Sequence, residues 1–369
     1  MTFKIFNLDL HISVIQDVKH IFHHLFGPAV EITNWSISGH NWVFNAPTPD
    51  VAIINQASWR NIDPAMIAAF QAHYDSFLRG FDAFIVTHTP VFAAIFEKYD
   101  KPVLLVNSCR YEQPFGWTGD LRGWDWLNDV LKRMSAKGQL ISVSNNKADR
   151  DYLRLGAGVE SVHIPSLCLY TEATYKPTKP AFVCHGDRGF FPPHPLLEAK
   201  PPSGYNWSEL YSYKGIVHIP YEMSTMSLFE QYSAGIPLWL PSRAFYEACI
   251  REGRMPFGSV YAASGPQTLA CPLSDLGFWL DRADYYDARN FKHVRYYDSA
   301  ADLLWQLERF EEKPAERAER SAWIAARRNE IYATWYGVLS GPFARIWVRS
   351  GSDDGSYDGS ARAKVATHS

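Results

Sequence analysis

The segment 218–241 combines hydroxyl-bearing and acidic residues in a spacing that is suited to binding an anion. It reads as an apolar strand, a turn with Ser224 and Thr225, a short helix and a second apolar run. Ser224 is a suitable helix N-cap, and Gly235 followed by Pro237 predicts the end of the helix. Because hydroxyls and unpaired backbone N–H groups collect at a helix N-terminus, the turn predicts a phosphate site.

The predicted helix has one polar and one apolar face when it is wound at about 100° per residue. The polar stripe contains Ser227, Glu230 and Gln231. The opposite, apolar face consists of Met226, Leu228, Phe229 and Tyr232. One face can therefore pack while the other meets a ligand. The alternative is a capped core helix with a single exposed carboxylate.

This segment resembles the nucleotide-sugar half of glycosyltransferases of the GT-B fold. In that family, a turn and a helix N-terminus hold the donor pyrophosphate, and a Glu about two turns later binds the ribose. The Ala-Gly-Ile-Pro at 234–237 also fits the family, and the likeness covers roughly the second half of the chain. The resemblance implies that the hydroxyls hold phosphate and that Glu230 accepts from ribose. The donor-binding candidates in this segment are Tyr221, Glu222, Ser224, Thr225, Ser227, Glu230 and Gln231.

A glycine-containing loop at 184–190 follows the first predicted strand of the second half. Its glycines permit a close approach of the backbone, and Arg188 could form charge-assisted hydrogen bonds with a diphosphate. GT-B enzymes often have a Gly-rich loop at this position, sometimes with a basic residue. The resemblance therefore makes Arg188 a further donor-binding candidate and His185 a residue of the cleft. A plain turn with an exposed Arg is the alternative.

Asp9 and His11 follow the first predicted strand, at the position where open α/β sheets bind ligands. Ser13 and Gln16 form a capping box that predicts the start of the next helix. Histidine has a suitable pKa for proton transfer, and a carboxylate can orient its ring. The resemblance places this loop on the acceptor side of the cleft. We predict His11 as the catalytic base, with Asp9 as its partner or replacement. A helix-cap turn with a satisfied His is the alternative.

Polar residues also follow other predicted strands of the first half, so we expect them to reach the same cleft. These cleft-lining candidates are His88, Asn107, Ser144 and Asn145.

His20, His23 and His24 share one face of a predicted helix, opposite an apolar stripe. This pattern predicts a solvated face rather than a metal site. GT-B transferases as a rule need no catalytic metal. The resemblance therefore implies a reaction without metal or cofactor, in which a nucleotide sugar is the donor substrate.

Composition limits the class of protein. A length of 369 residues suits two domains, and the balance of 36 Lys+Arg against 39 Asp+Glu argues against a nucleic-acid partner. The five cysteines lack a CxxC spacing, which argues against a disulfide framework and a zinc site. Because no stretch reaches about 18 apolar residues, we expect no transmembrane segment and a cytoplasmic protein.

Apolar runs alternate with helical patterns along the chain, which predicts α/β domains with parallel sheets. The predicted strands of the first half are 3–8, 30–35, 51–55, 83–87, 103–107, 140–144 and 161–164. We expect two Rossmann-like domains facing a cleft, as in the GT-B fold: an acceptor-side domain at 1–172 and a nucleotide-sugar-binding domain at 180–314. A helix at 315–340 would cross back to the first domain, and a polar tail at 350–369 would stay disordered.

The resulting hypothesis is a glycosyltransferase of the hexosyl or deoxyhexosyl class. It would move a sugar from a nucleotide to a hydroxyl of a glycan or other acceptor, with inversion. One alternative is a non-hydrolysing nucleotide-sugar epimerase, which has the same architecture. The other is a non-enzymatic, two-domain sugar-binding protein.

Overall fold

The computed structural model describes residues 2–201, 206–255, 257–258, 275–341 and 343. The tail expected to be disordered, 350–369, lies outside these residues. Among the helices that are described, none is long and apolar enough to cross a membrane.

In the described part of the first half, six parallel strands form one sheet. Near-continuous apolar runs suit strands that are buried on both faces. The spatial order is β2-β1-β3-β4-β5-β6, so the direction of strand addition reverses between β1 and β3. The strands are β1 (Phe3–Asp9), β2 (Val30–Ser36), β3 (Ala83–Thr87), β4 (Val103–Asn107), β5 (Leu140–Ser144) and β6 (Val162–His163).

Helices cover this sheet, and side-chain caps define where two of them begin. Asp63 accepts from the N–H of Met66 at the start of α2, and Asn146 accepts from the N–H of Asp149 at the start of α6. The helices are α1 (Ile12–Phe26), α2 (Pro64–Arg79), α3 (Ala93–Phe96), α4 (Phe115–Thr118), α5 (Leu121–Ala136) and α6 (Lys147–Ala157).

The second half repeats the same arrangement with five parallel strands among the described residues. Their spatial order is β11-β10-β9-β7-β8, with the reversal between β7 and β9. The strands are β7 (Phe182–His185), β8 (Leu197–Ala199), β9 (Ile216–His218), β10 (Leu238–Pro241) and β11 (Arg295–Tyr297). The helices are α7 (Trp207–Leu210), α8 (Met226–Ser233), α9 (Arg243–Arg251), α10 (Leu276–Leu280), α11 (Ala300–Arg309) and α12 (Pro314–Ser340).

The last helix, α12, returns to the first half. The hydroxyl of Tyr332 lies 2.9 Å from Nε2 of His20, and the ring of His24 stacks on Tyr332 with a centroid distance of 3.7 Å. Beyond the helix, Phe343 packs edge-on against Phe3. The predicted α/β fold, with two Rossmann-like sheets and a helix that crosses back, is therefore confirmed.

Two local predictions in the first half were wrong. Residues 51–55 contain bends instead of a strand, because Ile53 has a φ of 71°, which an extended strand does not permit. The first helix begins at Ile12 with His11 at the N-cap and no side-chain cap, so the capping box of Ser13 and Gln16 does not form.

His23 and His24 are exposed, in agreement with the predicted solvated face, and His20 is half-buried. The rings of His20 and His24 also contact Tyr332 of α12, which is distant in sequence.

Truncating Tyr332 tests the attachment of α12. Tyr332 is 9% exposed, so Tyr332→Ala should lower the free energy of unfolding by about 3 kcal/mol. Tyr336, on the same helix, is 42% exposed, and Tyr336→Ala should cost less than about 1 kcal/mol. Urea unfolding followed by circular dichroism measures both. Equal losses in the two variants would contradict the role of the Tyr332 contact.

Candidate active site

A cavity of about 470 Å³ lies between the two halves, where loops from both sheets meet. The wall from the first half is built by residues that follow β1, β3, β4 and β5, among them His11, His88 and Asn145. The wall from the second half is the loop 221–226, which connects β9 to α8. The carboxyl ends of parallel strands share one edge of a sheet, so the cavity lies where open α/β sheets bind ligands.

His11 and His88 lie at the strand-order reversal of the first sheet, after β1 and β3. Their ring centroids are 5.2 Å apart. Burial lowers the pKa of His11 to about 4 and that of His88 to about 3, so both rings are neutral at neutral pH. His88 also has a φ of 68°, a strained conformation of the kind that clusters at functional sites.

The Nδ1 atom of His11 is buried and has no hydrogen-bond partner among the described residues. A neutral imidazole with an unpaired nitrogen can accept a proton or a hydrogen bond from a ligand. The structure therefore brings the predicted base into the cavity in a chemically competent state.

Asp9 has a different role from the predicted one. Its carboxylate accepts from the backbone N–H of His11 at 2.7 Å, from Oγ of Ser36 at 2.8 Å and from Nδ2 of Asn7 at 2.5 Å. Burial raises the pKa of Asp9 to about 6. The carboxylate thus holds the backbone turn that carries His11 and contacts that backbone rather than the ring.

Two charged residues of the cavity wall are Arg110, at the end of the loop 107–110 that was expected to reach the cleft, and Asp149, which was not predicted. Arg110, which is 6% exposed, forms an ion pair with the fully buried Glu112, and its Nε has no partner in the described part of the chain. Asp149, in the first turn of α6, accepts from Nδ2 of Asn146 at 2.6 Å, and burial raises its pKa to about 6. Arg110 follows β4 and Asp149 follows β5, and the position after a strand of the sheet was the feature of the sequence that could have identified them. Asp149 is harder to identify because it lies within the helix α6.

The loop 221–226 presents Tyr221, Glu222, Ser224 and Thr225 to the cavity. The helix α8 begins one residue later than predicted, with Thr225 at its N-cap and no side-chain hydrogen bond there. Such an N-terminus offers backbone N–H groups to an anion.

The first half of the protein holds this helix end in place. Sδ of Met226 lies 3.8 Å from Nδ2 of Asn145 and 3.7 Å from Oγ of Ser166. The N-terminus of α8 therefore has a defined position relative to the wall that carries His11.

Glu230 lies in a separate, buried environment. Its carboxylate accepts from the hydroxyl of Tyr170 at 2.6 Å and from Nε1 of Trp207 at 2.9 Å. Phe44 of the first half contacts both aromatic rings, with centroid distances of 5.4 and 5.7 Å. Burial raises the pKa of Glu230. Both oxygens are thus occupied, and the predicted ribose contact stays a prediction.

A second pair of histidines marks the strand-order reversal of the second sheet. His185 and His218 are register partners at the ends of β7 and β9, and their rings stack with a centroid distance of 4.8 Å. Gln231 bridges them, with Oε1 2.9 Å from Nδ1 of His218 and Nε2 3.1 Å from Nδ1 of His185. Burial lowers the pKa of both rings, that of His218 to about 4. Of the polar face of α8, Gln231 therefore belongs to this network.

Arg188 does not reach the cavity. Its guanidinium donates to the carbonyl oxygens of Leu197, Phe191 and Pro192 at 3.0, 2.7 and 3.0 Å. These bonds hold the loop between β7 and β8. The arginine that the structure brings to the cavity is Arg110.

Only some of the site residues predicted from the sequence therefore line the cavity. Of the described residues, the predicted ones that line it are His11, His88, Asn145, Tyr221, Glu222, Ser224 and Thr225. The predicted residues outside this lining are Asp9, Asn107, Ser144, His185, Arg188, Ser227, Glu230 and Gln231. Within the latter group, Nδ2 of Asn107 donates to the carbonyl of Asp149 at 3.2 Å, and the hydroxyls of Ser144 and Ser161 lie 2.8 Å apart.

Comparison with known proteins gives matches only among solved structures: no family model matches the chain, and no curated protein matches it significantly. A glycosyltransferase of Glycyrrhiza uralensis, in complex with glycyrrhetinic acid 3-O-monoglucuronide, is 10% identical with a TM-score of 0.49, over 95% of this chain and 97% of its own. The glycosyltransferase VinC in complex with dTDP is 12% identical with a TM-score of 0.46, over 94% and 100%. A UDP-N-acetylglucosamine 2-epimerase homologue of Listeria monocytogenes is 10% identical with a TM-score of 0.43, over 84% and 96%.

These similarities concern overall architecture. The fold class rests on the two parallel sheets with matching strand orders, and the chemistry rests on the cavity.

Replacing Arg188 tests whether this residue stabilises the loop between β7 and β8 rather than binding the donor. Arg188→Ala removes three hydrogen bonds to carbonyl oxygens, so we expect a loss of about 2 kcal/mol in stability. The affinity for UDP, dTDP or GDP, measured by calorimetry, should change less than about twofold, which corresponds to less than 0.5 kcal/mol. Arg309→Ala, at an exposed arginine of α11, is the control for general loss of charge. Unchanged stability together with lost nucleotide affinity would restore the donor-binding role of Arg188.

Proposed function

We propose that this protein transfers a glycosyl group from a nucleotide-sugar donor to a hydroxyl group of an acceptor. One observation carries the proposal: the N-terminus of α8, which lacks a side-chain cap, and His11, whose buried Nδ1 is unpaired among the described residues, line the same cavity from opposite halves. An anion-binding helix end beside a neutral base is the arrangement needed to support a departing phosphate and deprotonate a nucleophile.

The donor half of the proposed site is the loop 221–226 with the first turn of α8. Backbone N–H groups and the hydroxyls of Ser224 and Thr225 would bind the diphosphate. As charge develops on the leaving diphosphate, these fixed dipoles stabilise it without reorganisation.

The acceptor half is the wall that carries His11. Its imidazole would take the proton of the acceptor hydroxyl while the oxygen attacks the anomeric carbon. The bond from that carbon to the phosphate oxygen breaks, and the nucleoside diphosphate leaves with the electron pair. Attack opposite the leaving group inverts the anomeric configuration. The groups in this scheme are side chains and backbone of this chain, so the proposed reaction uses no metal.

Ribose binding at Glu230 would require a local exchange of partners. Hydroxyls of the ribose would replace the hydrogen bonds that Tyr170 and Trp207 now donate to the carboxylate. Tyr170 lies between the two sheets in sequence, so this exchange would couple donor binding to the connection between the halves.

The transfer reaction is tested by finding a donor and following its fate. A panel of UDP-, dTDP- and GDP-sugars is screened by thermal shift, since a bound ligand raises stability with the logarithm of its saturation. The stabilising donor is then incubated with and without a mixture of acceptors, and the products are resolved by mass spectrometry. Acceptor-dependent release of nucleoside diphosphate supports transfer. An epimerised sugar nucleotide from donor alone, or no nucleotide binding at all, contradicts it.

The pH profile distinguishes His11 from Asp149 as the base. His11, with a pKa near 4, is unprotonated throughout the neutral range, so the decline of kcat/KM that its protonation causes should come near pH 4. Asp149, whose pKa is raised to about 6, would instead place that decline near pH 6. Because Asp9 also has a pKa of about 6, the profile is measured in Asp149→Asn beside the parent protein, and only a decline near pH 6 that this variant removes is assigned to Asp149. We expect His11→Ala to lower kcat by about 100-fold or more. Asp149→Asn should leave most of the activity, and the reverse ranking would make Asp149 the base.

Conservative changes around Glu230 test the ribose contact. Glu230→Gln replaces one acceptor oxygen with a donor, so it should weaken UDP or dTDP binding by about 10-fold. Tyr170→Phe removes a competing donor and should leave that affinity equal or tighter, although it lowers the stability of the free protein. Calorimetry measures both affinities. If Glu230→Gln binds nucleotide normally, Glu230 serves only the contact with Tyr170 and Trp207.

A further inference from the structure

Four residues that line the cavity each carry a buried polar atom without a hydrogen-bond partner among the described residues, as do several residues elsewhere in the fold. The four atoms are Nδ1 of His11, Oγ of Ser108, Nε of Arg110 and Oε1 of Gln113. The side chains of Arg110 and Gln113 are each only 6% exposed. All four come from the first half of the chain, opposite the proposed donor loop.

Leaving such atoms unpaired is costly. A buried donor or acceptor without a partner costs about 1–3 kcal/mol, and native proteins contain few of them. The set includes both donors and acceptors, so a single anion or cation cannot satisfy it. A ligand with several hydroxyl groups can, because each hydroxyl both donates and accepts. A hydrocarbon surface would leave all four atoms unsatisfied.

An aromatic residue adjoins these polar atoms. Trp117 in α4 lines the cavity and is 50% exposed. Its ring is supported edge-on by the buried Trp59, with a centroid distance of 5.8 Å. Tyr221, also 50% exposed, lines the cavity from the donor loop. Flat rings of this kind pack on the apolar faces of planar or ring-shaped ligands.

The charges of the cavity argue against an anionic acceptor. Arg110 is already paired with Glu112. The carboxyl groups of Asp149 and Glu222 also line the cavity. With the diphosphate at the donor loop, a second anion on the acceptor side would meet these carboxylates at close range.

We propose that the acceptor is a neutral carbohydrate whose sugar ring stacks on Trp117 and whose hydroxyls bind Ser108, Arg110 and Gln113. This proposal rests on the proposed function and narrows its acceptor to one chemical class. His11 lies on the same wall, so one hydroxyl of the bound sugar would face the base.

The substrate class is tested with acceptors that differ in one property each. Methyl glycosides, cellobiose, lactose and chitobiose represent neutral carbohydrates, glucose 6-phosphate represents an anionic one, and 1-octanol represents an apolar alcohol. With the donor found by thermal shift, we expect nucleoside diphosphate release to be stimulated by neutral saccharides and much less by the other two. A preference for 1-octanol or for glucose 6-phosphate overturns the proposal.

Variants of the wall locate the acceptor contacts. Trp117→Ala should raise the acceptor KM by about 10-fold, while Trp117→Phe, which keeps a ring, should retain most of the affinity. Gln113→Leu should raise it by about 10-fold as well, because a hydrogen bond to the sugar is lost. Trp305→Ala is the matched control, since Trp305 is 56% exposed and lies on α11, outside the described cavity lining. An acceptor KM that is unchanged in Trp117→Ala and Gln113→Leu overturns the assignment.

Failure of this inference is distinguishable from failure of the proposed function. If nucleotide sugars bind and are turned over but every neutral saccharide fails as acceptor, the carbohydrate assignment is wrong and the transferase proposal survives. If no nucleotide or nucleotide sugar stabilises the protein, both are wrong. Donor affinity is expected to be the same in the Trp117 and Gln113 variants as in the parent protein, which separates the acceptor wall from the donor loop.

Discussion

One buried carboxylate, that of Asp17, holds the segment that connects the two halves. This residue of α1 accepts from the backbone N–H groups of Leu167 and Cys168 at 3.1 and 2.6 Å, and so fixes the chain where it leaves the first sheet. Sγ of Cys168 in turn lies 3.7 Å from the carbonyl oxygen of Met226, in the first turn of α8. Burial raises the pKa of Asp17 to about 7, which means that the carboxylate is held at an electrostatic cost. Removal of the carboxyl would leave two buried N–H groups unpaired and release the linker that positions the helix end.

The two sheets have the same strand order, and each places histidines at its point of reversal. In the first sheet, His11 and His88 lie beyond the strands, where a cavity reaches them. In the second, His185 and His218 are register partners at the ends of β7 and β9, and Gln231 fills the space beside them. Burial keeps the rings of both pairs neutral. The same topology therefore places two different kinds of histidine pair: one that lines a cavity in the first half and one that is hydrogen-bonded to Gln231 in the second half.

Sequence patterns predicted the strands whose bounds are set by the residues of the strand itself. The strands β3, β4 and β5 have the predicted bounds, because continuous apolar runs specify them. The site was less predictable, because its geometry depends on partners that are distant in sequence. Glu230 binds Tyr170, 60 positions earlier, and the orientation of Arg188 depends on carbonyl groups of its own loop. Periodicity places a side chain on a helix face, but it does not reveal which partner covers that face. The buried bend at Ile53 shows the same limit for strands, since an apolar run alone does not specify φ.

The cavity wall of the first half combines several features that lower stability, although similar features also occur elsewhere in the described chain. A well-packed protein would pair the Nε of Arg110 and the Oε1 of Gln113, and it would avoid a left-handed backbone at His88. Each of these features lowers stability, and they occur together at the carboxyl edge of the first sheet. Unpaired polar atoms and strained backbone conformations are expected at sites where ligand binding or catalysis compensates for their cost in stability. Two contacts support this wall: the Asp9 carboxylate accepts from the backbone N–H of His11, and the ring of Trp59 packs edge-on against Trp117. Unpaired polar atoms on a rigid support are preorganised for a ligand, because their orientation is fixed before the ligand arrives. What distinguishes these features at the proposed acceptor wall is that they coincide with a cavity between the two halves.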